Sequence, residues 1–135
     1  MRHFSDSLAT EGATNMLERA KEFLQVAELA MDKGLHNGCA ANCYYALFWA
    51  AIAALRQQGF KQQEWSHGGL KQKFTEVLIN KRHIYPPQFG VWLSHAYDER
   101  LKAHYDVEGA GVVKTRRLLV HTREFITKIE ELITR

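Results

Sequence analysis

The chain has 135 residues, of which 46% are hydrophobic and 24% charged, with a formal net charge of +3. This length and balance fit one globular domain of ordinary size and argue against a mainly disordered chain. The mild positive charge permits an acidic partner such as RNA without pointing to one.

Residues 1–13 are polar and contain glycine without a clear period, so a loosely ordered start is expected. Met1-Arg2-His3-Phe4-Ser5-Asp6 holds no apolar signal-peptide core, and cytoplasmic retention is the expectation. Thr14 is placed to cap a first helix. Leu17, Ala20, Phe23, Leu24, Ala27, Ala30 and Met31 recur at spacings of three and four and form one apolar stripe, which Gly34 ends. A second helix spans Cys39 to about Gln58 and is apolar nearly all round, as suits the centre of a bundle. It is broken by Asn42 and rich in alanine, so it reads as a buried helix and not as a membrane span.

After a linker from Phe60 to Trp65, Ser66 can cap a third helix from His67 to about Asn80, with Leu70, Phe74, Val77 and Leu78 inward. Pro86-Pro87 suits the first turn of a fourth helix carrying Phe89, Val91, Trp92, Leu93, Ala96, Tyr97, Leu101 and Tyr105. Past Gly109-Ala110-Gly111, a last helix runs from Val112 nearly to Arg135. Val112, Leu119, Ile126 and Ile133 lie on a seven-residue repeat in it, and Leu118, Phe125, Ile129 and Leu132 broaden that stripe. Short loops and the lack of strand-like alternation predict an all-α, up-and-down bundle of four to five helices, forming one domain over residues 1–135.

Cys39 and Cys43 stand four apart on a helix, a poor spacing for a disulfide, so reduced thiols are expected. With His36 they lack the second ligand pair of a structural zinc site. A di-iron bundle needs two Glu-x-x-His motifs on facing helices, and only Glu64 to His67 has that spacing, in a linker. No metal and no cofactor is expected.

Three motifs stand in order: Asn42-Cys43-Tyr44-Tyr45-Ala46-Leu47-Phe48 on an alanine-rich helix, Ser66-His67-Gly68-Gly69-Leu70 opening a helix, and Ala96-Tyr97-Asp98-Glu99-Arg100-Leu101-Lys102-Ala103-His104-Tyr105-Asp106 before the final helix. From about residue 14 to the end, this pattern resembles the short, free-standing bacterial and archaeal branch of the HEPN family. The resemblance implies a helical bundle that works as a homodimer, with a site shared between two copies. Many members are metal-independent ribonucleases, often toxins paired with a nucleotidyltransferase-type antitoxin. The family motif is an arginine followed, after four to six residues, by a histidine.

Metal-free RNA cleavage needs a base for the ribose 2′-hydroxyl, a cation for the phosphate and an acid for the leaving oxygen. Histidine suits the proton transfers and arginine the phosphate. Arg100 and His104 are the catalytic candidates, four apart and so on one helix face. Three residues separate them, one fewer than the family spacing. The alternative is that Arg100 pairs with Glu99, Asp106 or a neighbouring helix while His104 is simply an exposed polar residue. Tyr105 follows as the aromatic that often succeeds the family histidine. Arg116 and His121 have the family spacing, but five residues apart on a helix diverge, and coincidence is preferred. Between Arg100 and Arg123 the ionisable side chains are mostly basic, so Lys102, Arg116 and Arg117 are candidates for flanking phosphates. His67 joins the binding set because free backbone N–H groups at a helix start can meet an anion, with capping or loop fixing as the alternative. Tyr44, Tyr45, Trp49 and Trp92 read as packing. The expected function is RNA-directed, as a metal-independent endoribonuclease or as a non-catalytic nucleotide- or partner-binding module.

Overall fold

The computed structural model describes residues 4–134, and it contains helices and no strand among them. Five α-helices follow in order: α1 (Phe4–Asp32), α2 (His36–Gln57), α3 (His67–Lys73), α4 (Gln88–Tyr105) and α5 (Val112–Ile133). The bundle expected from the sequence is what forms. The first helix begins earlier than its apolar stripe: residues 4–13 already belong to α1, so Thr14 lies inside the helix instead of capping it. Residues 1–3, where a loose start is expected, and Arg135, near which the last helix is expected to end, lie outside the described residues.

The turn between α1 and α2 shows how local sequence sets topology. Gly34 takes φ of 73°, a left-handed conformation that costs glycine little. The Leu35 N–H then reaches back to Ala30 O at 2.8 Å and the Gly34 N–H to Met31 O at 3.0 Å, which satisfies carbonyls the helix end leaves open. Gly59 ends α2 with the same pair of bonds, Phe60 N to Leu55 O and Gly59 N to Arg56 O, both 3.0 Å.

α2 is the central element, in contact with α1, α3, α4 and α5. Thirteen of its residues are buried, including Ala40, Ala41, Ala46, Ala50, Ala51, Ala53 and Ala54. Alanine on so many sides lets four neighbours approach one backbone. By length and composition this helix alone, among the described residues, could cross a membrane, yet 72% of its most apolar window is covered by the rest of the bundle. Cys39 and Cys43 are buried and unlinked, with sulfurs 4.0 Å apart.

The third helical segment departs from expectation. Ser66 caps α3, its hydroxyl accepting from the Gly69 N–H at 3.0 Å. Beyond Lys73 the chain widens into a π-helix over Phe74–Lys81, where an α-helix is predicted to Asn80. The wider turn fits a crowded apolar sequence, since Phe74, Val77, Leu78 and Ile79 are all buried. In α5, Leu119, Ile126 and Ile133 are buried as the seven-residue repeat predicts, whereas Val112, in the first turn, is 43% exposed.

A ladder of rings joins the C-terminal half. Phe125 of α5 stacks on Phe74 at 5.6 Å and on Phe89 at 4.6 Å; Phe89 meets Trp92 at 5.1 Å, and Trp92 lies under His121 at 4.3 Å with the planes 6° apart. Phe125 is wholly buried at the crossing of three segments. Phe125→Ala should cost about 3–5 kcal/mol of stability, read as a lowered midpoint of chemical denaturation.

Burial against Trp92 pushes the His121 pKa below its ordinary value; Glu124 opposes this, while Arg117 and His95 add to it. The folded state therefore disfavours the imidazolium. The unfolded chain takes up its proton first as pH falls below about 6.5, and stability drops in that window. Denaturation midpoints of the native protein should fall between pH 7 and pH 5.5, and His121→Phe, which keeps the stack, should flatten that fall.

Candidate functional site

Tyr97, Arg100 and His104 occupy one face of α4 by their spacing of three and four. Beside Tyr97 and Arg100 stand Tyr44 and Tyr45 of α2, their rings 5.6 Å apart and edge to face. The Arg100 guanidinium carbon lies 5.3 Å from the Tyr44 ring centre and 5.6 Å from that of Tyr45. Its Nε donates a long hydrogen bond, 3.5 Å, to the Tyr45 hydroxyl. Rings attract a cation through their negative faces without neutralising it. The Tyr45 hydroxyl raises the Arg100 pKa further above its ordinary value, burial opposing, so the charge is permanent.

Among the described residues no carboxylate is within ion-pair distance of Arg100. Glu99, weighed as its partner from the sequence, turns to Lys102 at 3.4 Å instead. Asp106 makes no ion pair among the described residues, and its backbone carbonyl accepts from Gly109 N in the turn that follows α4. Arg100 is thus a half-buried cation, oriented by two tyrosines and available to an outside anion.

His67, at the start of α3, comes to the same place. Its ring stacks on Tyr97 with centres 3.9 Å apart and planes 8° apart, and it lies 5.7 Å from Tyr44. Ser66 does the capping, so His67 is not needed for it. Partial burial is the main cause lowering the His67 pKa; Lys71 and Arg100 push the same way and Asp98 opposes. His104 is exposed, its ring 6.2 Å from that of Tyr105, which is itself 77% exposed.

The remaining candidates lie elsewhere. Lys102 points to the opposite side of α4, into a groove of about 490 Å³ between α4 and α5. Trp92, His95 and Glu99 line it from α4, and Lys114, Arg117 and His121 from α5. Glu99 is buried, and its second carboxylate oxygen has no partner among the described residues. Arg116 is exposed and outside this groove, so the Arg116–His121 spacing creates no shared site. Among the described residues no group of three or more His, Cys, Asp or Glu side chains is gathered to hold a metal ion.

Tyr44, Tyr45 and Tyr97 are the site residues that sequence reasoning assigned to packing alone. Their types are indistinguishable from core aromatics in the pattern. Only their membership of the first and third of the ordered motifs could have flagged them.

Comparison with known proteins agrees with this arrangement at the level of family. No curated protein matches the chain. A family model described as the HEPN domain matches residues 13–132, nearly the whole chain, and so takes in the three helices that meet at Arg100. The helical bundle and this match together make the chain a member of the HEPN domain family.

Proposed function

We propose that this HEPN domain is RNA-directed and cleaves RNA as a metal-independent endoribonuclease, with Arg100 holding the scissile phosphate and His104 moving a proton. The observation that carries this reading is the state of Arg100: a permanent cation held by the Tyr45 hydroxyl and two aromatic faces, with no carboxylate opposing it among the described residues. A planar guanidinium in that state matches a phosphodiester, whose charge grows as the 2′-oxygen attacks. His104 lies one turn further along the same face, exposed to whatever Arg100 binds. Arg116 and Arg117 are exposed cations on α5 away from Arg100, with Arg117 in the α4–α5 groove, and they suit more distant phosphates of the same strand, a screened and sequence-independent contribution. Lys102 contributes less, being turned toward Glu99.

The reading extends to a cytoplasmic homodimer whose two copies bring their Arg100 faces together, kept in check by a nucleotidyltransferase-type antitoxin. Light scattering at micromolar concentration should then give the mass of two chains; a monomer there would remove the shared site.

The decisive experiment is cleavage of a mixed RNA substrate in EDTA by the native protein, Arg100→Ala and His104→Ala, each checked for native helicity. Loss of about 100-fold or more in the Arg100 variant is expected, as for removal of a charge-stabilising donor. Equal rates would overturn the assignment of Arg100. No cleavage by any form, with a nucleotide or partner protein still bound, would make the domain a non-catalytic binding module.

A further inference from the structure

We propose that His67 is the general base of this site, set so that the phosphate held by Arg100 lies between His67 and His104. The inference rests on the ribonuclease reading and adds a residue from a different helix to it.

The geometry comes from α4. Tyr97, Arg100 and His104 share one face, and at the helical rise Tyr97 and His104 are about 10 Å apart along the axis, with Arg100 between them. His67 is stacked flat on Tyr97, so it marks one end of this row while His104 marks the other. His67 and Arg100 also share the Tyr44 ring, at 5.7 Å and 5.3 Å. Displacement at phosphorus places the attacking and leaving oxygens on opposite sides of the phosphorus atom. A base and an acid flanking the phosphate anchor from opposite ends match that requirement.

The step balances with these groups alone. A neutral His67 ring nitrogen takes the proton of the ribose 2′-hydroxyl as the 2′-oxygen bonds to phosphorus. The bond from phosphorus to the 5′-oxygen breaks, and the His104 imidazolium gives its proton to that oxygen. The products are a 2′,3′-cyclic phosphate and a 5′-hydroxyl end, and both histidines return to their starting forms by proton exchange with water.

The surroundings of His67 suit a base. Tyr44 faces it from α2, Lys71 from its own helix, and Tyr97, Asp98 and Arg100 from α4. Two cations and partial burial outweigh one carboxylate, which keeps the ring neutral near pH 7. Among the described residues its ring takes part in no ion pair, and the stack on Tyr97 fixes its plane. His104, exposed at the helix end, has none of this positioning, which an acid in exchange with water needs less.

The test is the pH profile of kcat/KM for RNA cleavage by the native protein, His67→Ala, His67→Phe, His104→Ala and Arg100→Ala. His67→Phe keeps a ring on Tyr97 and removes the nitrogens, so it separates stacking from proton transfer. The native profile should show an acid limb with an apparent pKa below about 6.5. Both His67 variants should lose about 100-fold at pH 7 and lose that limb, and added imidazole should partly restore His67→Ala. Native rates in either His67 variant, or a lower rate with the acid limb unchanged, would overturn the role of His67. If Arg100→Ala abolishes cleavage in the same series, the ribonuclease reading survives that result. If the native protein cleaves nothing, both fall together.

Discussion

The rest of the molecule depends on the burial of α2. A helix apolar on nearly all sides cannot face water on any of them, so the chain must cover it, and α1, α3, α4 and α5 do so. Its seven buried alanines allow backbones to come close from several directions, while Leu47, Ile52 and Leu55 fill the spaces between. The order of the helices follows from this demand together with two tight glycine turns. α1 folds straight back along α2 through Gly34, and Gly59 releases the chain to cross over and lay down α3, α4 and α5.

That constraint also makes the site. Near the middle of α2 the alanines give way to rings, and there Tyr44 meets His67 of α3 and Tyr97 of α4 while Tyr45 meets Arg100 of α4. Two aromatic rings at a helix crossing satisfy packing, and their faces and hydroxyls give a cation somewhere to rest. Arg100 rests there. A carboxylate in the same position would have locked the guanidinium into an internal ion pair, and the charge would have been spent within the protein. Tyrosine orients it and leaves it charged toward solvent. His67, delivered by the start of α3, completes an aromatic and basic cluster drawn from three helices.

The α4–α5 groove shows the other use of the same helix. Residues on the far side of α4 meet α5 around Trp92 and His121, and Lys102 and Glu99 neutralise each other there. One helix thus presents a cation held by tyrosines, with no carboxylate against it among the described residues, on one face and a cation paired with a carboxylate on the other. Two basic residues only two positions apart, Arg100 and Lys102, come to have different chemistry because they point in opposite directions.

Much of the fold was legible in the sequence because helix periodicity and turn chemistry are local. The stripe of α1, that of α5 from Leu118 onward, the all-round apolarity of α2, Gly34, the Ser66 cap and the proline break before α4 each act within a few residues, and each holds in the structure. The order of the three motifs also pointed to the family. Three things did not follow from local pattern. Residues 4–13 continue α1 although their own sequence shows no period, since an established helix propagates more easily than it begins. The π-helical widening at Phe74–Lys81 depends on how four neighbouring apolar side chains share space with the helices around them. The membership of the site depends on which helices cross. Sequence alone could place Arg100 and His104 on one face, because that is a matter of spacing. It could not place Tyr44, Tyr45 and His67 beside Arg100, or send Lys102 and Arg117 to a different groove, because residues of types common in any core acquire a functional setting only when the packing of α2 brings distant segments together.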